Sequence, residues 1–148
     1  MNRQPWSFVV VKDRALLDRC ADRAKAHVLA SLVPGSPLAH YRDHLASRDF
    51  HVFYNAPALV VICATATDHM AAQDCCLAAQ NLMLAAHARG LGTCWIGFAE
   101  SWLNQPTGKK ELGIPFHHVP VAPIIIGHPH AVPAPPERRN PDISWFEA

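Results

Sequence analysis

The 148-residue sequence has no run of charge of one sign, and its formal net charge is only +1. Without a basic block there is no electrostatic grip on nucleic-acid phosphates or on an anionic membrane, so neither partner is expected. Long hydrophobic runs are missing too. The longest apolar stretch, Met70 to Ala86, is interrupted by Gln73, Asp74, Gln80 and Asn81, which is too polar for a membrane span. No secretory leader is legible, because Met1 to Pro5 is polar and leads straight into a strand-like run. The five cysteines (Cys20, Cys63, Cys75, Cys76 and Cys94) are odd in number and contain no C-x-x-C. Adjacent cysteines are poorly placed for an ordinary disulfide, so a reduced, cytoplasmic chain is expected.

Side-chain chemistry is equally sparse. Among ten histidines, His117-His118 and His128-x-His130 form close pairs, but no H-E-x-x-H accompanies them. Neighbouring residues rarely point at one ion, so surface or loop histidines are expected and no metal site. There is no G-x-S-x-G, no Walker loop and no G-x-G-x-x-G, and no pair of carboxylates stands out for acid–base work. Cysteines in apolar surroundings are more often core than reactive thiols. No residue is therefore assigned a catalytic role.

What is present is apolar residue content of 50% with 17% charged residues, enough to bury the core of one domain. Trp6 to Val11 reads as a buried strand. Asp13 can cap a helix from Arg14 to Leu32, which Pro34-Gly35-Ser36-Pro37 breaks. A shorter helical stretch is predicted from Leu38 to Ala46. After the turn at Asn55-Ala56-Pro57, the wholly apolar Ala58 to Ala64 reads as a central strand buried on both faces. Thr65 to Asp68 supplies caps for a long helix from His69 to Arg89, apolar on nearly every face and hence expected to be buried all round. In a domain this small, part of that burial is expected from another subunit. Gly90 suits the left-handed end of this helix. Thr93 to Ile96 follows as a short strand, Phe98 to Gln105 as a loop, and Thr107 to Leu112 as one or two helical turns. Val119 to Ile126 is a further strand that Pro120 and Pro123 place at an edge or make irregular. From Gly127 onward prolines keep the chain extended. The order of elements suggests a mixed α/β layer arrangement.

Three stretches remain, which taken singly read as a polar terminus with an anchoring tryptophan, a helix cap with a strand and a turn, and a solvated basic spot on a proline-rich tail. They are Asn2-Arg3-Gln4-Pro5-Trp6, the glycine-flanked Gly90-Leu91-Gly92-Thr93-Cys94-Trp95-Ile96-Gly97, and Pro136-Glu137-Arg138-Arg139. Taken in order with A-P-A-L-V-V-I, A-A-Q-N-L-M-L-A-A-H-A-R-G, L-G-I-P and P-I-I-I-G-H-P, they closely resemble the nitroreductase family over nearly the whole chain.

The resemblance implies an α+β fold with a mostly antiparallel sheet flanked by helices. It implies a single domain over residues 1–148, with 130–148 as an extended C-terminal arm. It further implies an intertwined homodimer with the long helix at its interface, FMN as cofactor and NAD(P)H as reductant. Hydride would pass from NAD(P)H through the flavin to a nitroaromatic, a quinone or a similar conjugated small-molecule acceptor. Asn2 and Gln4 match polar positions facing the flavin ring and ribityl chain, and amide side chains can pair with both donor and acceptor edges. Trp95, Ile96 and Gly97 match the segment whose backbone N–H groups approach the ring. Arg138 or Arg139 matches the basic residue that binds the flavin phosphate. Family members usually begin with a helix carrying an R-R-S-x-R-x-F-like motif that supplies the main phosphate anchors. Here Met1 directly precedes N-R-Q-P-W, so that helix is expected to be missing. The alternative expectation is a shortened homodimer of the same fold that has lost flavin binding and serves as a non-catalytic binding or interaction module.

Overall fold

A computed structural model of the chain describes residues 2–33, 35–36, 38–132 and 134–146. Pro34, Pro37 and Pro133, read above as breakers or tail residues, lie outside the described residues. Strand β1 (Trp6–Val11) leads into α1 (Arg14–Ser31), whose first turn is closed by Asp13 accepting the Leu16 N–H at 2.7 Å. A short 3-10 turn (Ala39–Tyr41) and α2 (Arg42–Ala46) precede β2 (Ala58–Ala64). Then come α3 (His69–His87), β3 (Gly92–Trp95), α4 (Gly97–Leu103), α5 (Pro106–Glu111) and β4 (Val119–Gly127). Gly90, at φ +71°, turns the chain out of α3 as a left-handed residue past a helix end should.

The four strands form one antiparallel sheet in the order β1-β2-β4-β3. The fold is therefore α+β. Alternate side chains of β2 feed two cores. Leu59, Val61 and Cys63 pack with α1 and α4, while Val60, Ile62 and Ala64 pack with α3.

Of the two alternatives for strand β4, the structure takes the irregular one. Despite Pro120 and Pro123 it is an interior strand, between β2 and β3. Proline is tolerated because its missing N–H can face away from the paired strand. The Pro123 carbonyl accepts the Ile96 N–H at 2.8 Å and the Pro120 carbonyl accepts from the Asn104 side chain at 2.9 Å, so neither faces β2. In a regular strand residues three apart would face opposite sides. A bulge at Val121, where the register shifts from Ile62↔Ala122 to Cys63↔Pro120, brings both to the same side.

Two other readings change. Phe98 to Gln105 is not a loop: most of it is α4, with Ala99, Trp102 and Leu103 buried at helical spacing. And α3 is not buried all round in a single chain. Ala71, Cys75, Ala79 and Ala86 are buried, but Met70, Leu77 and Leu84 are 51%, 65% and 57% exposed. On the same side of the sheet, Phe8 and Val10 of the outer strand β1 are also open to solvent.

All five cysteines are free; Cys20, Cys63 and Cys75 are buried, and Cys76 and Cys94 are exposed. Burial pushes each of the three buried thiols up to about 11. The thiolate is the nucleophile, so iodoacetamide at neutral pH should spare these three in the folded chain and modify them only in denaturant. Intact-mass analysis would count the adducts, and rapid modification of more than two thiols under native conditions would contradict the packing.

Candidate functional site

The glycine-flanked segment singled out from the sequence ends the outer strand β3. The Trp95 ring joins the core beneath α3, whereas Ile96 is buried among α1 and α4 residues. The Ile96 N–H is committed to Pro123, so it is not free for a ligand. Gly97 then opens α4, and Ile96 supplies no side-chain cap. The first N–H groups of a helix have no partner within it, which leaves those of Gly97 and Phe98 as available donors. Both residues line a cavity of about 350 Å³ whose other walls are Leu38, Tyr54, Cys94, Trp95 and Ile96. A Cβ built on Gly97 meets no atom of the chain within 4 Å. Packing within the chain therefore gives no reason for glycine here.

Asn2 and Gln4 are exposed and precede β1, at the opposite edge of the sheet from β3. Through Ile124 and Val60 the antiparallel registers set Trp95 level with Val10, near the end of β1. The start of β1 is therefore three strand spacings, about 14 Å, across the sheet from Trp95 and four residues, about 13 Å, further along it. Gln4 adopts φ +46°, its carbonyl accepts the Trp6 N–H at 2.9 Å, and the Pro5 carbonyl accepts the Thr65 N–H at 3.0 Å. Arg138 and Arg139 lie on the exposed extended arm. Pro135 of that arm lines a cleft with Gly90, Leu91, Gly92 and Thr93, at the end of β3 away from Trp95. One chain thus gathers Trp95, Ile96 and Gly97, and leaves Asn2, Gln4 and both arginines apart from them. Leu38 and Tyr54 were missed by sequence reasoning. Each comes from a connecting segment, and Tyr54 takes φ +51° beside Asn55 at +56°, a conformation that nothing in the order of residues announces.

Other chemistry finds no support. Ser7 Oγ and His118 Nδ1 lie 3.1 Å apart, but among the described residues no carboxylate orients the ring as a triad requires. Desolvation, together with the nearby His117 and Lys109 charges, lowers the His118 pKa. Among the described residues no group of three or more His, Cys, Asp or Glu side chains could hold a metal ion. None of their helices is long and apolar enough to cross a membrane.

Cys94 to Gly97 of the cavity wall lie within the block of sequence that carries the family resemblance, and the family model described as Nitroreductase family matches residues 1–128. The chain belongs to the nitroreductase family. A relative from Methanothermobacter thermautotrophicus, provisionally named NADH dehydrogenase/NAD(P)H nitroreductase, is 26% identical over 99% of this chain. The chain spans 67% of that relative's length. A nitroreductase with bound FMN from Desulfitobacterium hafniense is 26% identical and superposes with a TM-score of 0.80, covering 99% of this chain and 78% of that one. A second FMN-bound nitroreductase, from Bacteroides fragilis, shares the fold at a TM-score of 0.83, 24% identity, and 99% and 79% coverage. The antiparallel α+β sheet and its flanking helices are thus those of the nitroreductase fold.

Proposed function

We propose that this chain binds FMN at the cavity beside Gly97, and acts as an FMN-dependent oxidoreductase. The observation that carries the reading is the cavity at Trp95–Gly97. It joins unclaimed N–H donors of Gly97 and Phe98 to apolar walls from Leu38, Tyr54 and Ile96, and a planar, mostly apolar heterocycle with polar edges fits that donor set. FMN, when bound, supplies two-electron transfer, with NAD(P)H as reductant and a nitroaromatic, quinone or similar conjugated molecule as acceptor. The residues of the chain hold, orient and exclude water. Gly97 and Phe98 would donate to an acceptor edge of the ring, Tyr54 and Leu38 would shield a face, and Asn2 and Gln4 would pair with polar edges. Arg138 or Arg139 would hold the phosphate.

Neither those arginines nor Asn2 and Gln4 reach the cavity within one chain, and the exposed stripe on α3 needs a cover. Both facts support a homodimer built on α3, with the extended arm of each chain laid across the other. The exposed Ile143, Trp145 and Phe146 give that arm apolar anchors. The five unpaired cysteines suit the reducing cytoplasm.

A second reading, a non-catalytic dimer of the same fold, rests on one observation: no cationic side chain lines the cavity. Visible absorption of the purified chain, with and without added FMN, separates the two. About one FMN per chain is expected. A folded chain that stays colourless with FMN in excess would sink the flavin reading and favour the second.

A further inference from the structure

The segment expected to face the flavin is held by a contact that the sequence does not reveal. Arg3, between Asn2 and Gln4, donates from Nη2 to Asp68 Oδ2 at 2.9 Å. Asp68 is also the N-cap of α3, its other oxygen accepting the Ala71 N–H at 3.1 Å. One carboxylate therefore joins the Asn2–Gln4 segment to the start of the helix that carries the exposed apolar stripe. The Arg3 side chain is 48% exposed and that of Asp68 41% exposed. A lone pair that open contributes little to stability, so stabilising the fold does not explain it. Gln4, meanwhile, holds a left-handed backbone at φ +46°. A side chain other than glycine, asparagine or aspartate stays there only where its surroundings hold it. On the far side of Gln4 the backbone is pinned by the bonds of Gln4 to Trp6 and Pro5 to Thr65. On the near side Arg3 is the anchor.

We propose that Arg3 and Asp68 are positioning residues: their ion pair fixes the left-handed turn at Gln4 and so presents Asn2 and Gln4 to the cofactor. The inference rests on the flavin reading above. The pair touches no reacting atom; it reduces the ordering that the segment would otherwise undergo when the ligand arrives. The hydrogen bond from Arg3 is the main influence holding the Asp68 carboxyl below its ordinary value, in keeping with a formed, charge-assisted contact.

The test is FMN titration, followed by quenching of flavin fluorescence, together with thermal melts, on the unaltered chain and on Arg3→Gln, Asp68→Asn and the double variant. Asparagine still caps a helix, so Asp68→Asn removes the ion pair and keeps the start of α3. Each single change should raise the Kd for FMN about tenfold, and the double variant should be no worse than either single one, as residues acting through one contact require. Melting temperatures without flavin should stay within about 2 °C of the unaltered chain, as for surface substitutions. An unaltered chain that binds FMN, with variants that bind it equally well, overturns the positioning role and leaves the flavin reading standing. Weaker binding that merely tracks a lowered melting temperature also overturns it, because the pair would then be structural. If the unaltered chain takes up no FMN, the flavin reading falls and the positioning role with it.

Discussion

Gly108→Ala should cost about 3 kcal/mol of stability, at the upper end of what overpacking a close contact usually costs, and lower the melting temperature by about 8 °C for a chain of this size. Gly108 lies in α5 where that helix crosses α4. A Cβ there would collide with the Trp102 carbonyl oxygen and stand 2.9 Å from Leu103 Cα. Both obstacles are backbone, and Trp102 and Leu103 are themselves buried, so no flexible side chain can yield. Alanine favours a helix over glycine by up to about 1 kcal/mol, which opposes the clash and is smaller than it. Gly97→Ala is the internal contrast. Its Cβ meets nothing and its φ is not left-handed, so the melting temperature without ligand should hold within about 2 °C. FMN affinity should fall, because the added methyl enters the space beside the donors. Differential scanning calorimetry on both variants checks the pair. A Gly108→Ala chain that melts with the unaltered one would mean that α4 and α5 do not approach this closely.

The contrast between these glycines shows what a sequence discloses. Gly97 was singled out because it closes the glycine-flanked block that carries the family resemblance. Gly108 passed unnoticed, since nothing local distinguishes a glycine needed for helix crossing from one in a turn. Strands β1 and β2 were legible to the residue because β-branched runs end sharply at Pro5, Lys12, Pro57 and Thr65. The start of α1 was legible through Asp13. For strand β4 the sequence left an edge or an irregular strand open, because the harm of a proline depends on which way its missing N–H points; the one-residue bulge makes it the irregular, interior one. Helix α4 did carry a signal, in Ala99, Trp102 and Leu103, but a short helix offers only one such turn of evidence. Within the site, Trp95, Ile96 and Gly97 are contiguous and so were found together. Tyr54 and Leu38 reach the cavity from separate connections, and the Arg3–Asp68 pair spans the whole of β1, α1 and β2.

Leu77→Asp should convert the proposed dimer to monomer, raising its dissociation constant more than a hundredfold, since a carboxylate buried in an apolar interface without a partner costs several kcal/mol. Met70, Leu77 and Leu84 recur every seven residues, so they lie close to one line along α3. The chain buries the opposite stripe of that helix, Ala71, Cys75 and Ala79, against the sheet. A soluble monomer seldom leaves so long an apolar line open. Phe8 and Val10 extend the open surface on the same side of the sheet. Because Leu77 is 65% exposed in the single chain, the substitution leaves the core of the monomer untouched. The isolated variant should keep its helical circular-dichroism spectrum while its sedimentation coefficient drops to that of one chain. Cys76, exposed beside Leu77, provides a second readout. Its alkylation should be slow in the dimer and fast in Leu77→Asp, while Cys94 serves as a reference thiol away from α3. FMN retention should fall with the dimer if Arg138 or Arg139 reaches the phosphate from across the interface, which separates that assignment from one in which each chain binds flavin alone. A Leu77→Asp chain that remains dimeric at micromolar concentration would move the interface off α3 and leave the exposed stripe without the partner proposed for it.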